Sequence, residues 1–365
     1  MRVLGSGPEA SGAGGEGAAP SDGAGGASSD GGAGASTAGT GGSDASCEVA
    51  IELEPLAPAI EFLIDSSGSL RETWVDDTSR WQFVRDALVD TFSSLPNETA
   101  AGLVFYPNVQ WSAGIDGEGD AFCLLTYESA PLAALDEEHR ADLLDAVAEQ
   151  PALGATPTYD AYEYAVSLLT RYSERRAKVA VLLTDGAPTY ADGCVGDGIT
   201  PVDAAPLADA ARAAFEEHGI RTFVMGLSAG AESLSAMALS GRTARAGCDP
   251  EVGAPCHFDA TSAPAPAAFL ASALTAVERE ARRCVFTYPR AEIEALGGAR
   301  AERFTLVAAN GERRPQSTLR PGDSCTRGVT HFTNEDSFVL CPETCSEFGA
   351  NPELRAELRV ECAGP

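Results

Sequence analysis

Residues Ala59-Ile60-Glu61-Phe62-Leu63-Ile64 run directly into Asp65-Ser66-Ser67-Gly68-Ser69. The first six read as a short buried strand, and the next five as the loop that leaves its carboxyl end. Asp65, Ser67 and Ser69 fall at alternate positions, so a carboxylate and two hydroxyls can turn their oxygens into one hole. An all-oxygen donor set suits Mg²⁺, Ca²⁺ or Mn²⁺ better than zinc or copper.

Outward from this stretch, strand and helix patterns alternate from Pro58 to about Cys284. Gly102 to Tyr106, Val179 to Thr184 and Arg221 to Leu227 are further short apolar runs. The unbroken apolarity of Val179 to Leu183 suits a strand covered on both faces. Between the runs, Val84, Ala87, Leu88, Thr91 and Leu95 recur at helical spacing, as do Ala161, Ala165, Leu168, Leu169 and Tyr172, and then Leu207, Ala211, Ala214 and Phe215. The alternation predicts an α/β fold with a doubly wound, mostly parallel sheet flanked by helices. Such sheets bind ligands beyond the carboxyl ends of their strands, where Asp65 stands.

The flanks differ in kind. Of the first 46 residues, 33 are Gly, Ala or Ser, too few apolar groups to offset the entropy of ordering, so residues 1–46 read as a disordered tether. Coil statistics put its ends on the order of 40 Å apart. Residues 285–365 lose the helical period and read as a cysteine-rich, β-rich region. Within it, Phe304 to Ala308 followed by Asn310-Gly311 predicts a hairpin with a two-residue turn. Near the C-terminus, Leu354, Ala356, Leu358, Val360 and Cys362 alternate with Arg355, Glu357, Arg359 and Glu361. In 47–57, Cys47, Val49, Ile51 and Leu53 alternate with Glu48, Ala50, Glu52 and Glu54. Two half-buried strands with opposite charges outside are natural partners. The expected result is a small disulfide-rich β part built from the C-terminal region and the first strand, with Cys47 bonded to Cys362.

The opening loop has company further along. Gly154-Ala155-Thr156-Pro157-Thr158 precedes a helix, and Leu183-Thr184-Asp185-Gly186 ends a strand. A threonine hydroxyl and a second carboxylate therefore arrive at the same sheet edge. In order and spacing this combination resembles the von Willebrand factor type A domain with its metal-ion-dependent adhesion site, over about residues 58–284. The resemblance implies that Ser67, Ser69 and Thr156 coordinate the ion directly, and that Asp65 and Asp185 hold it directly or through water. Thr156 is chosen over Thr158 because the family uses the first threonine of the element. Two carboxylates and three hydroxyls leave a divalent ion near charge balance with one position open, which a partner protein's Asp or Glu can fill. Alternatives are a purely structural metal in an assembly subunit, and ordinary loop acids capping helices.

Charge and cysteine content bound the rest. A formal charge of -29 leaves no basic patch for nucleic acid and repels anionic membranes. No stretch of 18 apolar residues predicts a transmembrane helix. Ten scattered cysteines without a CxxC fit disulfides in an exported protein. The N-terminus shows no apolar signal segment, so an export signal or lipid anchor is expected upstream. A zinc site from Cys248, Cys256 and His257 is a competing reading. So is a serine hydrolase, because Gly226-Leu227-Ser228-Ala229-Gly230 matches the nucleophile-elbow pattern, with His257 and Asp249 or Asp259 as partners. Small residues making a tight turn explain the same segment. His139 and His218 read as surface residues.

Overall fold

The computed structural model describes residues 48–107, 123, 128–228, 232–249, 253–261, 263, 265–318, 329–333, 337–351 and 353–362. The expected tether at 1–46, Cys47 and Cys325 lie outside them.

Along the chain, β1 (Glu48–Leu53) leads into β2 (Pro58–Asp65), a short hairpin of β3 (Thr73–Val75) and β4 (Thr78–Ser79), and helix α1 (Arg80–Ser94). Next come β5 (Ala100–Tyr106), β6 (Ala130–Ala134), α2 (Glu137–Glu149), α3 (Thr158–Arg171), β7 (Ala177–Thr184), α4 (Ala205–His218) and β8 (Arg221–Gly226). The head closes with α5 (Glu232–Ser240), β9 (Phe258–Asp259) and α6 (Pro266–Cys284). Its six strands lie in the order β6-β5-β2-β7-β8-β9. All neighbours pair in parallel except β6, which runs antiparallel to β5.

Both sheet faces are covered, which is why the strands read as unbroken apolar runs. Ile60, Phe62 and Ile64 of β2 face a cluster fed by α1, α2 and α6, including Val84, Leu143 and Leu270. Leu63 faces the other cluster, fed by α3, α4 and α5 through Tyr162, Leu207 and Met237. Local signals set the helix starts and stops. Ser79 caps α1 by accepting from Gln82 N at 3.2 Å, and Asp136 caps α2 by accepting from His139 N at 2.8 Å. Gly219 ends α4 in the left-handed region, with φ of 67°.

One residue breaks the pattern. Glu61, in the middle of β2, is fully buried, and neither carboxylate oxygen has a partner among the described residues. Burial pushes its carboxyl well above the usual range, and the charge of Glu128 adds to this. Gly102 stands opposite it in the register. A Cβ there would lie 2.3 Å from Glu61 Oε2, so the glycine makes the room.

The C-terminal region comprises β10 (Val285–Thr287), α7 (Arg290–Ala295), β11 (Ala299–Val307), β12 (Arg313–Pro315), β13 (Ser317–Thr318), β14 (Val329–Thr333), β15 (Ser337–Leu340), α8 (Pro342–Ala350) and β16 (Arg355–Cys362). Its two sheets run β1-β16-β11-β12 and β10-β15-β14-β13. The first and last strands pair antiparallel, Ile51 opposite Leu358 and Glu48 opposite Glu361. Their outer faces meet as the charge pattern implied: Arg359 Nε lies 2.7 Å from Glu48 Oε1, and Arg355 Nη1 3.8 Å from Glu52 Oε1. Phe286, Phe304, Phe338 and Phe348 fill the core beneath with edge-on and tilted ring contacts. A disulfide from Cys284, the last residue of α6, to Cys345 on α8 ties this core to the head.

Several expectations change. The expected hairpin turn is longer than two residues, because β11 ends at Val307 and β12 starts at Arg313. The five between close with Ala308 N donating to Glu312 O and Gly311 N to Ala308 O. His139 is buried instead of exposed, its Nε2 donating to Ala101 O at 2.8 Å. Cys248 and Cys256 form a disulfide, which removes them as zinc ligands. Cys362 is disulfide-bonded, while the expected partner Cys47 lies outside the described residues.

Candidate metal centre

The edge where β2 and β7 end gathers the predicted residues. Asp65, the last residue of β2, is fully buried. Its Oδ1 accepts from Ser67 N at 2.8 Å, and its Oδ2 from Thr184 Oγ1 at 2.6 Å. From there the oxygens run on as a chain: Ser67 Oγ to Ser69 Oγ at 3.0 Å, and Ser69 Oγ to Asp185 Oδ1 at 2.8 Å. Ser67 and Asp185 are buried, whereas Ser69 is exposed, so the cluster opens to the surface on that side.

Backbone bonds hold the loop with Thr156 against this cluster. Leu153 N donates to Ser66 O at 2.7 Å and Gly68 N to Gly154 O at 3.0 Å. Thr156 is fixed from its other side by Thr189, whose Oγ1 accepts from Thr156 N at 2.8 Å and whose own N–H donates to Thr156 O at 3.0 Å. Gln150 Nε2 donates to Ser66 Oγ at 3.0 Å. Buried Thr158 Oγ1, at the start of α3, has no partner among the described residues. Four of the five predicted residues are thus joined by hydrogen bonds, and Thr156 is laced to the same loops.

The electrostatics fit a cation. Burial, then the charge of Asp185, pushes the Asp65 carboxyl up to about 7. Burial also raises Asp185, opposed by the Ser69 hydroxyl and the Arg80 guanidinium. Two buried carboxylates, the charge of one raising the other and both surrounded by hydroxyl oxygens, are a donor set that a divalent ion would stabilise in its ionised form.

Thr184, Thr189, Gln150 and Arg80 were missed from sequence. Nearness to Asp185 in the chain is the one signal that marks Thr184 and Thr189; nothing in the sequence marks Arg80, whose contact depends on how α1 leaves its hairpin. Among the described residues the imidazole of His257 is hydrogen-bonded to Ser235 instead of Ser228. His257 Nδ1 is 3.0 Å from Ser235 Oγ, with both residues buried, and a Cβ on Gly226 would lie 2.9 Å from His257 Nε2. Ala229 and Gly230 of that motif lie outside the described residues. The cluster of Cys123, Cys194 and Asp160 is a disulfide beside a carboxylate that accepts from Gly193 N and Cys194 N.

The profile of the von Willebrand factor type A domain matches residues 60–248. No curated protein matches the chain. Similar solved structures include proximal thread matrix protein 1 from the mussel byssus with a zinc-occupied MIDAS motif, 17% identical, covering 62% of this chain and 48% of that one, with TM-score 0.37. Pilus adhesin SpaC from Lactobacillus rhamnosus GG is 14% identical, covering 86% and 41%, with TM-score 0.42. A von Willebrand factor type A protein from Catenulispora acidiphila is 15% identical, covering 87% and 61%, with TM-score 0.44. The chain spans about half the length of the byssus structures it matches.

Proposed function

This chain belongs to the von Willebrand factor type A family, and from that premise we propose that its head is a cation-dependent protein-recognition module. Asp65, Ser67, Ser69, Thr156 and Asp185 hold Mg²⁺, with Ca²⁺ or Mn²⁺ as alternatives, and the partner is a protein presenting an Asp or Glu. The observation that carries this reading is the run of hydrogen bonds from Asp65 through Ser67 and Ser69 to Asp185, with a buried carboxylate at each end. When bound, the ion supplies a positive centre with a ligand position that a carboxylate can take in place of water. The chain's own residues do the rest. Thr184 and the Ser67 N–H fix the Asp65 carboxylate, Thr189 fixes the Thr156 backbone, and exposed Ser69 marks the side from which a partner approaches.

The eight described cysteines are all disulfide-bonded, which supports an exported protein. No helix among the described residues is long and apolar enough to cross a membrane. Binding is favoured over hydrolysis because the imidazole that would serve Ser228 is buried against Ser235.

Calorimetry with Mg²⁺ and Mn²⁺ on the full chain and on Asp65→Ala tests the reading. Heat of binding in the parent and none in the variant is expected, with a partner captured from a surface fraction released by EDTA. Equal binding by the two proteins would overturn it.

A further inference from the structure

We propose that Arg80 is a resident counter-cation of the carboxylate cluster, competing with the divalent ion for Asp185 and so setting how tightly the ion is held. The inference rests on the metal reading above and adds a residue that reading does not use. Arg80 is the first residue of α1. The β3-β4 hairpin brings it back onto Glu72: its backbone N–H donates to Glu72 O at 3.1 Å, and Nη1 lies 2.8 Å from Glu72 Oε2. From this clamp the same Nη1 reaches to 3.7 Å from Asp185 Oδ2. Among the described residues it is the cation in ion-pair range of a predicted ligand; Arg71 turns its Nε to Gly68 O.

Three details give the contact its meaning. At 3.7 Å it is a charge contact and too long for a hydrogen bond, so Asp185 Oδ2 keeps its lone pairs for another cation. The Asp185 side chain is only 2% exposed and that of Arg80 20%, so the attraction is screened less than at an open surface. Arg80 Nε is buried with no partner among the described residues. Glu72 thus anchors the guanidinium through Nη1 while Nε goes unmet, which leaves the group's charge facing Asp185 at ion-pair range. Any divalent ion drawn to Asp65 and Asp185 therefore meets a positive charge already installed beside Asp185.

The test is Mn²⁺ titration by calorimetry on the full chain, with melting curves in EDTA alongside. Arg80→Gln removes the charge and keeps a polar group for Glu72. It should bind Mn²⁺ about tenfold more tightly, the scale set by a unit charge acting on a divalent ion across a water-like medium, and should melt earlier without metal. Arg80→Lys keeps the charge and should stay close to the parent. Should Arg80→Gln not fold, Arg80→Met is read in its place. An arginine that merely braced α1 would lower the melting point and leave Mn²⁺ affinity untouched. Unchanged or weaker affinity in Arg80→Gln, or equal tightening in Arg80→Lys, overturns the proposal. If the parent takes up no Mn²⁺ that Asp65→Ala abolishes, the metal reading itself fails; uptake lost in Asp65→Ala but unaltered in Arg80→Gln sinks this inference alone.

Discussion

Removing the charge of Asp65 should change how stability depends on pH in the metal-free protein, with a sign opposite to that of most carboxylates. An exposed Asp paired with a cation has a lowered folded-state value and stabilises above it. Asp65 is raised from 3.8 to about 7, by burial first and Asp185 second. The folded chain therefore keeps a proton that the unfolded chain has already lost. Its contribution is fully present below about pH 4 and is lost as pH rises through about 7. About three pH units at roughly 1.4 kcal/mol each gives a loss on the order of 4 kcal/mol, or roughly 6 °C in melting temperature for a chain of this size. Melting curves in EDTA from acid to neutral pH, taken as the difference between parent and Asp65→Asn, isolate this residue from the other acids, including Glu61. The variant should gain on the parent as pH rises. Saturating Mg²⁺ should invert the trend, because the ion needs the carboxylate ionised and protons compete with it. A difference curve flat in pH without metal, or unaltered by Mg²⁺, would refute the reasoning.

Three further outcomes follow from contacts described above. Thr189→Val strips the hydroxyl that accepts from Thr156 N. It should cost about 1 to 3 kcal/mol in denaturant unfolding and weaken Mn²⁺ binding more than a distant substitution of equal cost. Gly102→Ala places a Cβ 2.3 Å from Glu61 Oε2 and 2.9 Å from Leu132 Cα, an overpacking expected to cost about 1 to 3 kcal/mol. Pairing it with Glu61→Ala should recover part of that, as a double-mutant cycle would show. Replacing Cys284 and Cys345 by alanine opens a bridge spanning 61 residues and should cost about 2 to 5 kcal/mol, with Mn²⁺ affinity retained because the bridge lies away from the Asp65 edge.

Much of the head was legible because its strands are covered on both sides, and double burial writes a continuous apolar run that no loop imitates. The pairing of β1 with β16 was legible for the opposite reason: each is half-exposed, so apolar and charged residues alternate, and Glu48 finds Arg359. The convergence of Asp65, Ser67, Ser69 and Asp185 was legible because side chains of fixed chemistry stand next to strand ends. Its supports were not. Thr189 serves through a hydroxyl aimed at a backbone N–H, a role any loop threonine can fill, and Arg80 depends on the path of a two-stranded hairpin. Strand β6, Ala-Pro-Leu-Ala-Ala, carries too little β-branched or aromatic character to announce itself. His139 misled because its chain neighbours Glu137, Glu138 and Arg140 are all charged, whereas its ring crosses to a carbonyl of β5.

The antiparallel register that sets Glu48 against Glu361 puts the outer ends of the first and last strands about 5 Å apart. A body that the chain enters and leaves through one doorway behaves as a cassette. It can be let into a surface loop of a host protein without prising that loop open, or relinked end to end and cut elsewhere, with the Asp65 edge carried along intact.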